Sequence, residues 1–156
     1  MMKYGIEEAR RTMNLGLGGP FGAVITDKDN NIISIASNTV LRDNDPTAHA
    51  EINAIRIAGS KLNTYDLSEC TLYATGYPCP MCLSAIIWSN IKKVYYGNTK
   101  EDAADIGFRD DFIYEFINKL SLNEQDNTIL DLRSLNREET IEEFNKFKNK
   151  EDKTIY

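Results

Sequence analysis

The chain has 156 residues, 42% hydrophobic and 27% charged, a balance that predicts one soluble globular domain and excludes a collagenous, linker-like or disordered chain. Its net charge of −6 weighs against a nucleic-acid partner, because binding by phosphate neutralisation needs a basic surface. No apolar run is long enough to span a bilayer, and Glu7-Glu8 interrupt the N-terminus before a signal-peptide core can form, so a cytoplasmic protein with no membrane partner is expected.

Ile6, Ala9, Met13 and Leu17 recur at helical spacing and predict an amphipathic helix over 6–17, ended by Gly16, Gly18, Gly19 and Pro20. Phe21 to Ile25 reads as a strand, Asp27 to Asn31 as a turn, and Ile32 to Ala36 as the second strand of a hairpin. Asp45-Pro46-Thr47 signals a helix start with Pro46 in the first helical position; the helix runs over Ala48–Ala58 and stops at Gly59. Thr71 to Thr75 is a strand, Pro80 opens a helix through Leu83, Ile86 and Ile87, and Val94 to Tyr96 is a further strand. Phe112, Phe116 and Leu120 mark a helix over 111–120. Ile129 to Leu132 is a weaker strand candidate, and Glu138 to Lys148 forms a last amphipathic helix. This order predicts an α/β protein, a three-layer α/β/α sandwich around a mixed central sheet, with helix-separated strands parallel.

Three cysteines make a poor disulfide framework, and two of them stand as Pro78-Cys79-Pro80-Met81-Cys82. The single histidine opens His49-Ala50-Glu51. Structural zinc sites close with four protein ligands, whereas catalytic ones leave a position for water. His49, Cys79 and Cys82 supply three donors and leave that position open. Cysteines in a first helical turn are favoured as thiolates by the free N–H groups and the helix dipole. Zinc lowers the pKa of its water from ~15.7 towards ~7, an effect two thiolates soften, so a neighbouring base matters and Glu51 is the candidate. His-x-Glu followed by Pro-Cys-x-x-Cys is the signature of zinc deaminases acting on cytosine and adenine. Residues two apart do not share a helix face. His49 and Glu51 can therefore meet one water only if the imidazole reaches the ion from below and the carboxylate curls round from the side.

Other readings of these residues exist. Cys-x-x-Cys can be a redox pair, and a closed structural site would recruit Cys70. With residues 71–75 as a strand, Cys70 lies about 16 Å from Cys79, which makes it a small buried apolar residue instead. A zinc-binding scaffold without catalysis is the non-enzymatic alternative, and an intact Glu51 weighs against it.

The zinc motifs resemble the cytidine deaminase-like superfamily. Four segments, Gly18–Ile25, Asn44–Glu51, Pro78–Ile86 and Gly107–Tyr114, bring the chain closer to its bacterial guanine deaminases, and the last of them, with the terminal tyrosine, points to guanine. The resemblance covers nearly the whole chain. It implies a single zinc-dependent domain over 1–156 that converts guanine to xanthine and ammonia, with a small purine base as its partner. Carried over residue by residue, it implies that Asn38 hydrogen-bonds the purine and Phe21 packs on its ring. Backbone groups of Ala50 and Cys79 position the reacting edge, Glu51 moves protons, and Asp110 receives the exocyclic amine side. Tyr156 would end a helix and tail, 137–156, that swap into a partner subunit of a homodimer. Arg109 stands where the family commonly has an acid, and the stretch from Phe147 to Tyr156 runs a few residues long. By residue type alone, Phe21 also fits a core, Asn38 a turn, Asp110 a helix cap and Tyr156 a frayed end. Within enzymes the rival is a deaminase of another base or nucleoside, including adenosine in tRNA, which would need a basic rim and an open mouth.

Overall fold

Strand β1 (Gly22–Thr26) is buried at every position, and a strand reads that way only when a layer covers each face. Successive side chains point to opposite faces. Ala23 and Ile25 accordingly join a cluster with Ala50, Ala54 and Ala58 of helix α3 (Ala50–Leu62), while Gly22 lies against helix α1 (Met2–Asn14) on the other side. The computed structural model, which describes residues 1–155, therefore has helices on both faces of one sheet.

That sheet has the order β2-β1-β3-β4, with β2 (Ile32–Ser37), β3 (Thr71–Gly76) and β4 (Lys93–Asn98). β1 pairs antiparallel with β2 and with β3, and β3 pairs parallel with β4. So β2, β3 and β4 run one way and β1 the other: the helix-separated strands share a direction, and the hairpin supplies the reversed one. Helix α4 (Pro80–Trp88) makes the crossover between β3 and β4.

Close approach between layers is set by two glycines. A Cβ on Gly22 would stand 2.0 Å from the carbonyl oxygen of Gly5, so α1 meets β1 backbone to backbone and no larger residue fits between them.

Several boundaries differ from the sequence reading. Asp45-Pro46-Thr47 is a turn, not a helix start. The Asp45 carboxylate accepts from the Thr47 N–H at 2.8 Å and from its hydroxyl at 2.7 Å, and α3 begins only at Ala50. Gly59 does not stop α3. The helix runs to Leu62 and ends on Asn63 at φ 51°, in the left-handed region that asparagine tolerates. Ile129 to Leu132 forms no strand, because the N–H groups of Ile129 and Leu130 turn back onto the Asp126 carbonyl. Two short helices went unpredicted: α2 (Val40–Asp43) and α5 (Lys100–Asp105), the latter opened by a Thr99–Asp102 capping box.

The chain divides into two units, 1–110 and the residues from Asp111 onward. The first holds the whole sheet. The second contains α6 (Asp111–Ser121) and α7 (Arg137–Lys148), with Lys119 paired to Asp126 at 2.6 Å. Phe116 is the sole buried residue among its described residues, while Phe112, Ile117, Leu130, Leu135 and Phe144 are exposed. No helix among the described residues is long and apolar enough to cross a membrane.

Candidate active site

Two helix N-termini meet at one point. His49 is the N-cap of α3, with extended backbone at φ −70° and ψ 157°, and Cys79 is the N-cap of α4, at φ −66° and ψ 169°. An N-cap residue lies outside the helical path. This removes the difficulty of two residues two apart: His49 leaves the chain before the helix begins, and Glu51 projects from its first turn. The carbonyls of both caps are bound into their helices, His49 by the Asn53 N–H at 2.9 Å and Cys79 by the Leu83 N–H at 2.8 Å.

The imidazole Nδ1 of His49 lies 3.6 Å from Cys79 Sγ and 3.7 Å from Cys82 Sγ. A tetrahedral zinc with Zn–S of about 2.3 Å and Zn–N of about 2.05 Å would hold its nitrogen and sulfur donors about 3.6 Å apart. The donor set and its spacing thus fit zinc. The cluster contains these three side chains, and no other histidine, cysteine or carboxylate among the described residues joins it. Cys70 is buried in the core with Leu72 and Ile91.

The charges of the cluster follow from its contacts. Cys79 is drawn down to about 4, chiefly by the hydrogen bond it accepts from Cys82, with His49 adding to the effect. Cys82 is pushed up because it donates that bond and is buried. His49 is raised by its hydrogen bond to Cys79. A divalent cation bound here would take both sulfurs as thiolates and release their protons. Glu51 is 7% exposed. Burial pushes its carboxyl up, its own backbone N–H pulls it back, and the Cys79 thiolate pushes it up again. A buried carboxyl raised above its usual range, beside a metal site, is suited to take and return a proton.

Beside the cluster, Asn38 and Phe21 form one hydrogen-bonded unit. The Asn38 Oδ1 accepts from the N–H groups of Gly19 and Val40, each at 3.2 Å, and the Phe21 carbonyl accepts from the Asn38 N–H at 2.9 Å. Gly18 must be glycine here, since a Cβ would stand 2.2 Å from the Asn38 carbonyl oxygen. The Phe21 ring lies across Gly76, whose Cβ would be 3.4 Å away, at the end of the strand that leads to Pro78 and Cys79. It meets the Phe108 ring edge-on, with centroids 4.9 Å apart at 89°. Ala50 is fully buried as the first residue of α3. Asp110 is half-buried at the close of the first unit, three residues after Gly107 at φ 95°. The expectation for Tyr156 lies outside the described residues.

Sequence reasoning missed Asn53, which touches the elements of this site without belonging to its motif, and it missed the contact of Phe108 with Phe21. Phe108 stands in the Gly107–Tyr114 resemblance, but that segment carried no signal of this contact. Asn53 carried a faint one, as a weak helix former inside a helix of alanine and isoleucine, where its side chain commonly bonds to nearby backbone.

A mixed sheet, an open His-Cys-Cys cluster and a buried carboxylate beside it define a zinc-dependent deaminase, and residues 1–98 match the family described as the cytidine and deoxycytidylate deaminase zinc-binding region. The chain belongs to that family. It is 50% identical over 118 residues to the guanine deaminase of Bacillus subtilis, spanning 76% of this chain and 75% of that one. It is 40% identical over 116 residues to the tRNA-specific adenosine deaminase of Haemophilus influenzae, spanning 74% and 66%. The solved structure of guanine deaminase from Bacillus subtilis superposes with a TM-score of 0.89 at 40% identity, over 99% of this chain and 96% of that one.

Proposed function

We propose that the chain converts guanine and water to xanthine and ammonia. The reaction class rests on the three-donor cluster with Glu51 buried beside it. The choice of guanine rests on the likeness to the Bacillus subtilis enzyme, which extends along nearly the whole fold.

His49, Cys79 and Cys82 would hold a zinc ion, which when bound would acidify a water for attack at neutral pH. Glu51 takes the proton of that water as it adds to C2 of the purine. The same carboxyl passes that proton to the ring nitrogen, then takes the proton left on the added oxygen and hands it to the amine, so that C2 keeps a carbonyl and ammonia leaves. Asn38 has its Oδ1 engaged by Gly19 and Val40, and its NH₂ group is the part suited to a purine acceptor. Phe21 packs on the ring, and the backbone of Ala50 and Cys79 aligns the reacting edge. Asp110, an acceptor only when ionised, receives the amine side of guanine and so selects it. The purified protein loaded with zinc is expected to release ammonia and form xanthine from guanine, with guanosine, adenine, cytosine, cytidine and tRNA left unchanged. Turnover of one of those in place of guanine would keep the zinc chemistry and overturn the assignment of substrate.

We also propose a homodimer in which the helix and tail over 137–156 swap between subunits. A unit with one buried residue among its described residues and several exposed phenylalanines and leucines lacks a core of its own, and a second copy would supply the missing cover. Sedimentation equilibrium at micromolar concentration is expected to give twice the chain mass, and a monomer there would overturn the swap. A cytoplasmic location completes this reading, since Cys79 and Cys82 must stay reduced to hold metal.

A further inference from the structure

Asn53 stands one turn beyond His49, and its side-chain amide reaches both halves of the site. Its Nδ2 donates to the Ser37 carbonyl at 3.0 Å, to the Thr39 hydroxyl oxygen at 2.9 Å and to the Ala48 carbonyl at 3.3 Å. Ser37 and Thr39 are the residues on either side of Asn38, and Ala48 precedes His49. The Asn53 backbone N–H binds the His49 carbonyl itself, at 2.9 Å. An amide nitrogen carries two hydrogens, so the bond to Ala48 is the weakest, shared contact of the three.

The acceptors are themselves fixed. The Thr39 hydroxyl donates to Asp43 at 2.6 Å, which turns its lone pairs towards Asn53, and Asp43 is held by Arg42 at 2.7 and 3.0 Å. The Thr39 N–H donates to the Ala48 carbonyl at 2.9 Å. The stretch 44–49 has no helix or strand to place it. Its position next to Asn38 is set by these bonds and by the Asp45 turn.

We infer that Asn53 is a positioning residue that couples the metal ligand His49 to the purine contact Asn38. Its side chain touches neither, and acts through the residues beside each. The arm to Asn38 rests on the proposed guanine reaction, and the arm to His49 does not. Groups that hold a metal ligand in place commonly contribute about 10–100-fold in metal affinity.

Three variants test this. Asn53→Leu keeps most of the volume and removes both donors. Thr39→Val removes only the acceptor beside Asn38. Asn53→Gln keeps the amide. Zinc affinity is read on the protein alone, by competition with a chromophoric chelator, and KM and kcat are read with guanine. Asn53→Leu is expected to bind zinc about 10–100-fold more weakly and to raise KM by more than it lowers kcat. Thr39→Val is expected to raise KM with zinc affinity unchanged, and Asn53→Gln to recover most of the zinc affinity. Parent-like zinc affinity in Asn53→Leu overturns the inference. Should that variant not fold, an unchanged KM in Thr39→Val overturns it instead. A parent protein silent on guanine would refute the substrate, while the zinc measurements would still decide the role of Asn53.

Discussion

Replacing Glu51 by glutamine is expected to remove turnover while leaving zinc in place. General acid–base groups contribute roughly 10²–10⁴-fold, and Glu51 is proposed to serve both directions of transfer, so a loss in kcat at or beyond the upper end is expected. The metal should stay because its donor cluster is His49, Cys79 and Cys82, and Glu51 is outside it. The substitution keeps the volume of a side chain that is 7% exposed, so it opens no cavity. It removes the one property that burial has tuned, a carboxyl held above its usual range. Steady-state kinetics beside zinc content per chain makes the test. Near-parent turnover would exclude Glu51 as proton carrier, and lost zinc would make it a ligand.

Cys82→Ala is expected to abolish both metal and activity, and Cys70→Ala neither. Both residues are buried cysteines, so a purely packing role would give the two substitutions similar effects. Their surroundings separate them. Cys82 Sγ lies 3.7 Å from His49 Nδ1 at the first turn of α4, whereas Cys70 packs in the core. Removing one of three protein donors leaves two, too few for a stable site, while trimming Cys70 costs on the order of 1 kcal/mol of packing. Zinc measured after dialysis should be close to one per chain in the parent and in Cys70→Ala, and close to zero in Cys82→Ala. Retained zinc in Cys82→Ala would show that the ion sits elsewhere.

The metal centre was legible because its information is local: donor type, spacing of three, and a proline that opens a helix. The hairpin and the parallel pair of β3 and β4 were legible for a similar reason, since strand period and crossover rules act on neighbouring elements. Where local signals are shared between structures, the reading slipped. Aspartate before proline serves a helix cap and a turn equally well, and Asp45 chose the turn because its carboxylate binds Thr47. Glycine can end a helix, yet α3 runs through Gly59 and ends on Asn63, also able to take φ above zero. The bonds that tie Gly19 to Asn38, and the edge contact of Phe108 on Phe21, join residues far apart in sequence, and no local pattern announces them.

His49 and Cys79 are 30 positions apart, and α3 and β3 lie between them. An ion gripping both ends turns that stretch into a closed ring, topologically the work of a disulfide in a chain whose three cysteines are all free. Closing a ring of this span withdraws from the unfolded chain conformational freedom worth about 3–4 kcal/mol. The ion that would serve the chemistry would thereby also cross-link the central strand, and chelation is expected to loosen the sheet along with the site.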